Sequence, residues 1–206
     1  MPSCMIHLSA AVRYSPVMPV RLMLGSVAPD AIQRDWKTKD SSHFRNVEGR
    51  EARLCALRAY ADSLDMTDVF YQGVLLHLYL DCLWDDTALR EFKNLHENDP
   101  AKWFRPYRDE ISAASEWLYH HTAWSRMLWR RMLAYNISLC PPVRYVSNED
   151  LCDYLRRNFQ WHEENARGPS AVFSPEYIES FIVSSVHGFT HWLGKEKGQD
   201  MPEGLR

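Results

Sequence analysis

Long apolar runs are missing from this sequence. No segment offers ~18 uninterrupted apolar residues, so no membrane-spanning helix is expected. The amino terminus, MPSCMIHLSAAV, has neither the basic lead nor the extended apolar run of a secretory signal, and the expected location is cytoplasmic. An excess of charge is missing too: at a formal net charge of -3 the chain carries no whole-molecule field that would draw nucleic acid. A local basic patch, RMLWRRM, sets Arg126 and Arg130 beside Trp129 and reads as a solvated helix face. Cysteine is scarce. The five residues, Cys4, Cys55, Cys82, Cys140 and Cys152, are odd in number and lack CxxC spacing, which excludes a disulfide framework or a zinc ribbon and fits a reducing compartment. Glycine-rich phosphate loops, dinucleotide fingerprints, internal repeats and low-complexity stretches are absent as well.

What is present is enough apolar material for a core. With 46% hydrophobic and 13% aromatic content over 206 residues, and no shift of composition along the chain, a single domain over residues 1–206 is expected. The periodicity is helical and alternating runs are few, so the expected class is all-α, a multi-helix bundle. Residues 49–65 place Leu54, Leu57, Tyr60, Ala61 and Leu64 on one stripe. Thr67 is placed to cap a second helix reaching about Leu95. Further helices are predicted at about 107–122, 124–137, 148–165 and 175–194, with Ser147 and Ser174 as N-caps, Pro175 in a first turn and CPPV at 140–143 as a firm break. The first 48 residues, interrupted by Pro16, Pro19, Gly25, Pro29 and the polar run KTKDSSHF, read as a short helix followed by loops.

One helix carries chemistry. In GVLLHLYLD, His77 and Asp81 stand four residues apart on an otherwise apolar segment, and so project from one face. A buried carboxylate needs a cation, an arginine or several donors, and a divalent metal would supply that while giving the imidazole a partner. A core histidine beside a hydrogen-bonded aspartate is the alternative for this pair. LGSVAPDA and KDSSHF add Asp30 and His43, completing a two-histidine, two-carboxylate set that suits zinc, with manganese or iron as alternatives. Asp85 lies one turn beyond Asp81 on the same face and is the candidate for orienting water or for acid/base work, or else an ordinary exposed acid. His187 and His191 continue a small-polar stripe with Ser180 and Ser184 and read as a solvated face. His96, His121 and His162 have no such arrangement and are expected to titrate near neutral pH.

The order of motifs, an early histidine (His7), Asp30 before a short helix, His43 in SHF, then HLYLD with His77 and Asp81, resembles the zinc-dependent phospholipase C superfamily and its related single-strand nucleases. The likeness covers about residues 1–86 and implies an intracellular, bacterial-type member. It implies an all-helical fold, one to three zinc ions, a bridging role for Asp81 and a place for His7 in a second site. Exported members of that family use the amino group of a mature tryptophan as a ligand; a Pro2 amine freed by loss of Met1 is the counterpart here. The family's later ligand positions have no direct match, and Glu116 and His120 in EWLYHH are the replacements, His120 ahead of Glu116.

The implied activity is hydrolysis of a phosphoester, phospholipase C-like, by metal-activated water, on a small-molecule or lipid substrate. Two other readings stand beside it: a metal-dependent hydrolase of a non-phosphate ester or amide, and a helical binding protein with a structural metal or none. Trp36, Phe44, Trp84, Trp103 and Phe104 are candidates for lining an apolar pocket, with core packing as the alternative for most.

Overall fold

The computed structural model describes residues 2–32 and 35–194. The protein is all-α: among the described residues there is no β-strand, only an isolated bridge between Val143 and Val146. Helix α5 (Val69–Asp86) is apolar around most of its circumference, and a helix of that kind must be surrounded. It is packed by α1 (Cys4–Tyr14), α2 (Val20–Gly25), α4 (Arg50–Ala61), α6 (Ala88–Leu95) and α10 (Pro175–Gly194) around one hydrophobic core. The remaining helices are α3 (Trp36–Ser42), α7 (Pro100–His121), α8 (Ser125–Leu133) and α9 (Asn148–Glu164). Short 3-10 turns lie at Ala28–Ala31 and Ile137–Leu139. No described helix is long and apolar enough to cross a membrane.

Local chemistry explains most boundaries. Ser147 and Asp150 close a capping box on α9, and the Ser174 hydroxyl accepts from the Tyr177 N–H at the start of α10. Leu57 and Ala61 of the predicted stripe are buried, and Leu54, Tyr60 and Leu64 pack against the same core.

Three expectations are corrected. Asp68, not Thr67, caps α5 by accepting from the Phe70 N–H; the Thr67 hydroxyl donates to Asp65 instead. The predicted helix to Leu95 breaks at Thr87, whose φ of -120° and ψ of -90° leave the helical region while its hydroxyl donates to the Leu83 carbonyl. The first 48 residues hold α1, α2, a 3-10 turn and α3 rather than one short helix and loops.

Helices α2 and α5 cross in close backbone contact. A β-carbon on Gly73 would lie 2.2 Å from the Leu22 carbonyl oxygen, and one on Gly25 would lie 2.0 Å from that of Phe70. Two glycines facing each other let the backbones touch, and the carbonyl of Ser26, just past α2, comes to rest on α5.

Candidate metal centre

His7, Asp30, His43, His77 and Asp81 meet at one buried point. His7 sits on α1 among Met5, Ile6 and Leu8, all buried, so its ring is carried inward with them. Asp30 comes from the 3-10 turn Ala28–Ala31, which Pro29 begins. His77 and Asp81 project from α5 as the i, i+4 spacing requires.

His43 caps the C-terminus of α3. Beyond it, Phe44 adopts a left-handed φ of 56°, Phe44 N–H bonds to Ser41 O at 3.3 Å and Arg45 N–H to Asp40 O at 2.8 Å. This is a Schellman turn with phenylalanine where glycine is usual. It aims His43 and Arg45 at the same place.

The distances are those of donors around a cation. His77 Nε2 and His43 Nε2 lie 3.3 Å apart. His43 Nε2 is 3.6 Å from Asp30 Oδ1 and 3.7 Å from Asp81 Oδ2. His7 Nε2 is 3.4 Å from Asp81 Oδ1, and its ring stacks on His77 with centroids 3.7 Å apart. Four ligands held tetrahedrally at about 2.05 Å from a zinc ion would lie about 3.3 Å from one another.

The tautomers sharpen the point. His77 Nδ1 is 2.9 Å from the Ser26 carbonyl oxygen and His43 Nδ1 is 2.9 Å from that of Lys39. A carbonyl can only accept, so His77 Nδ1 carries the proton and its neutral ring presents the Nε2 lone pair; His43 Nδ1 also has the Ser42 hydroxyl at 2.7 Å, and the neutral ring takes the same tautomer when that hydroxyl donates to the Lys39 carbonyl. With both rings neutral in that tautomer, two lone pairs face each other across 3.3 Å. A cation between them turns that repulsion into coordination, and the carbonyls then serve as the outer partners that orient metal-bound imidazoles. His7 Nδ1 and Nε2 and Asp81 Oδ1 are buried without an aligned hydrogen bond, whereas Asp30 Oδ1 has the Lys39 ammonium beside it. Unsatisfied atoms of this kind are costly unless something else pairs with them. The residues present fit a divalent ion.

Electrostatics keep His77, Asp30 and Asp81 in their binding forms. Burial and the neighbouring His7 push the pKa of His77 down to about 3, so its imidazole is neutral. Burial would raise the Asp30 carboxyl, but Lys39, His43 and His77 outweigh it and hold that group well below the usual carboxylate range. Asp81 behaves likewise: burial opposes ionisation, and Arg45, His7, His77 and His43 more than compensate. The two cations are in contact with the acids. Lys39 Nζ is 3.1 Å from Asp30 Oδ1, and Arg45 Nη2 donates to Asp81 Oδ2 at 2.8 Å.

Asp30 opens the centre onto a cavity of about 760 Å³. Lys39, Arg45 and Asp85 form its polar wall, Trp103, Phe104 and Trp161 line it elsewhere, and Arg108 and Arg157 also face it. Of the five aromatics expected at a pocket, Trp103 and Phe104 line this one. Trp84 is fully buried against Phe173 and Phe181, Phe44 packs on Tyr60, and Trp36 is 70% exposed.

The other expected residues lie as follows. Asp85 lines the cavity, with its carboxylate accepting from Arg45 Nε at 2.7 Å and Arg53 Nη1 at 3.2 Å. His120 does not join the cluster: its Nε2 lies 2.8 Å from the Asn165 carbonyl oxygen. Glu116 is buried, accepts from the Arg167 N–H at 2.8 Å, and with His120 ties α7 to the segment after α9. Pro2 is buried and lines the cavity, whereas the expected loss of Met1 lies outside the described residues. His187 and His191 are exposed. His162 departs from expectation, since burial pushes its pKa down to about 4.

Sequence reasoning missed Lys39, Arg45, Arg53 and the Ser26 carbonyl. Lys39 precedes His43 by one helical turn, a signal that becomes visible only once KTKDSS is read as a helix rather than a loop. Arg45 and Arg53 reach their acids through the tertiary fold, and no local spacing announces them.

A scan against protein-family models, a search of curated proteins and a search of solved structures each find no match. Fold and site thus define the class directly: an all-α protein with three imidazoles and two carboxylates gathered at the edge of an aromatic-lined cavity, in an arrangement that could hold a divalent ion.

Proposed function

We propose that the protein is a metal-dependent phosphoric ester hydrolase of the kind found in the zinc-dependent phospholipase C superfamily, acting on an organic phosphodiester. The observation that carries this reading is the 3.3 Å approach of His43 Nε2 and His77 Nε2, with Asp30 and Asp81 beside them. Imidazole and carboxylate donors in this mixture favour zinc, with manganese or iron next. His7, Asp30, His43, His77 and Asp81 would hold the ion, which when bound supplies a Lewis acid that acidifies water and polarises the phosphoryl oxygen.

The chain's own groups do the rest. The Ser26 carbonyl holds His77 in the ligating tautomer, and the Lys39 carbonyl and Ser42 hydroxyl orient His43. Arg45 and Lys39 keep Asp81 and Asp30 ionised. Trp103, Phe104 and Trp161 offer flat apolar walls to the organic part of the substrate and keep water from it. The five unpaired thiols support a reducing, cytoplasmic setting.

Turnover of chromogenic aryl phosphodiesters and carboxyl esters, before and after chelation, tests the assignment. Phosphodiester cleavage that chelation abolishes and zinc restores is expected. Carboxyl-ester cleavage alone would transfer the protein to the non-phosphate hydrolases, and activity and stability untouched by chelation would make it a binding protein.

A further inference from the structure

We propose that the centre holds a single divalent ion per chain and that Arg45 is its second cation, gripping a phosphoryl oxygen of the substrate from the cavity side. The proposal rests on the hydrolase reading and refines it.

The count comes from His77. Two groups of three side chains could each hold an ion, His7–His77–Asp81 and Asp30–His43–His77, and both need His77. Its Nδ1 is committed to the Ser26 carbonyl, which leaves Nε2 and one lone pair. The groups cannot both be complete at once, and one ion drawing on both is the occupancy this allows.

A lone ion leaves charge on the transferring phosphoryl group that a second cation must meet, because catalysis of this transfer is largely electrostatic. Arg45 is built for that task. Its Nε donates to Asp85 Oδ2 at 2.7 Å, and its Nη2 donates to Asp81 Oδ2 at 2.8 Å and to Asp85 Oδ1 at 3.5 Å. These bonds fix the plane of the guanidinium. The two N–H groups on Nη1 have no acceptor among the described residues, and the side chain lines the cavity. A guanidinium held on one edge and free on the other is suited to an anionic oxygen.

Arg53 and Asp85 are positioning residues. Arg53 Nη1 holds Asp85 at 3.2 Å while Nη2 donates to the His43 carbonyl oxygen at 3.1 Å. A ring of contacts thus runs Asp81–Arg45–Asp85–Arg53–His43 and ties the anion site to the ligand set. In the step itself, water oxygen forms the new bond to phosphorus, the bond to the leaving alcohol breaks, and a proton from water ends on that alcohol. Arg45 remains charged throughout.

The test combines elemental analysis with calorimetric titration of inorganic phosphate, on full-length wild-type protein, Arg45→Gln and Arg45→Lys, with helicity followed by circular dichroism. One ion per chain is expected in all three, with phosphate affinity about tenfold weaker or worse in Arg45→Gln and clearly reduced in Arg45→Lys, whose ammonium cannot reproduce the fork. The proposal is overturned by two or more ions per wild-type chain, by phosphate affinity unchanged in the variants, or by loss of the ion from folded Arg45→Lys, which would make Arg45 only a brace for Asp81. Failure of the underlying reading looks different: one ion and Arg45-dependent phosphate binding without turnover of any phosphoester removes the hydrolase and keeps the anion site.

Discussion

Two carbonyl oxygens, those of Ser26 and Lys39, orient His77 and His43: the first places the proton of His77 on Nδ1 and turns its lone pair inward, and the second, with the Ser42 hydroxyl, holds the His43 ring so that Nε2 faces the same point. Histidines elsewhere in the fold are used differently. His162 lies in the last turn of α9, buried, with Nδ1 2.6 Å from the Asn158 carbonyl oxygen, Nε2 2.9 Å from Ser115 Oγ and 4.0 Å from Cys4 Sγ, so it is a packed, neutral group. Its folded pKa of about 4 lies below the ordinary histidine value of 6.5. The unfolded chain therefore binds the proton more readily, and the stability His162 contributes is fully present above pH ~6.5 and lost as pH falls toward 4. Between pH 7 and pH 5 the wild type should lose about 2 kcal/mol more than His162→Gln. Urea unfolding at the two pH values measures this, and parallel losses in both proteins would show that His162 is not held neutral.

Among the elements, α2 and α5 matter most, since their glycine-to-glycine crossing delivers the Ser26 carbonyl to His77. A methyl at Gly73 meets backbone atoms, the Leu22 carbonyl oxygen at 2.2 Å and the Ser26 nitrogen at 2.8 Å, so the helices must separate to admit it. Gly73→Ala should lower the free energy of unfolding by about 3 kcal/mol and weaken ion binding with it. Equal urea midpoints for variant and wild type would mean that the crossing is not a tight one.

Helices α4, α8, α9 and α10 were legible in the sequence because stripes, caps and the CPPV break are local signals; α7 was legible only from about 107, since it starts at Pro100, where Asp99 caps it by accepting from the Ala101 N–H. The amino-terminal elements were not, and the reason is physical. α2 has only six residues, and α3 is a polar stretch with just Ser42 buried, so neither shows the amphipathic period that marks a longer helix. Phe44 occupies a left-handed turn position where glycine would have signalled a helix end.

For the molecule as a whole, the fold brings side chains from position 7 to position 81 to one buried point at the edge of a cavity. Asp30, His43, His77 and Asp81 were legible because unusual polar residues stood in otherwise apolar or short segments, and His7 entered through the order of motifs alone. The cationic half of the site was illegible, since Lys39, Arg45 and Arg53 look like any surface base until the acids they meet are known. His120 misled because spacing four residues from an acid says nothing about what a ring faces, and here it faces the Asn165 carbonyl.

The most direct measurement of the central claim is the metal content of gently purified wild-type protein, His77→Ala and Asp81→Ala, with helicity checked in each. A zinc-like ion in the wild type and its loss from both folded variants is the predicted result. Retention of the ion by both variants with their helical content intact would contradict the account.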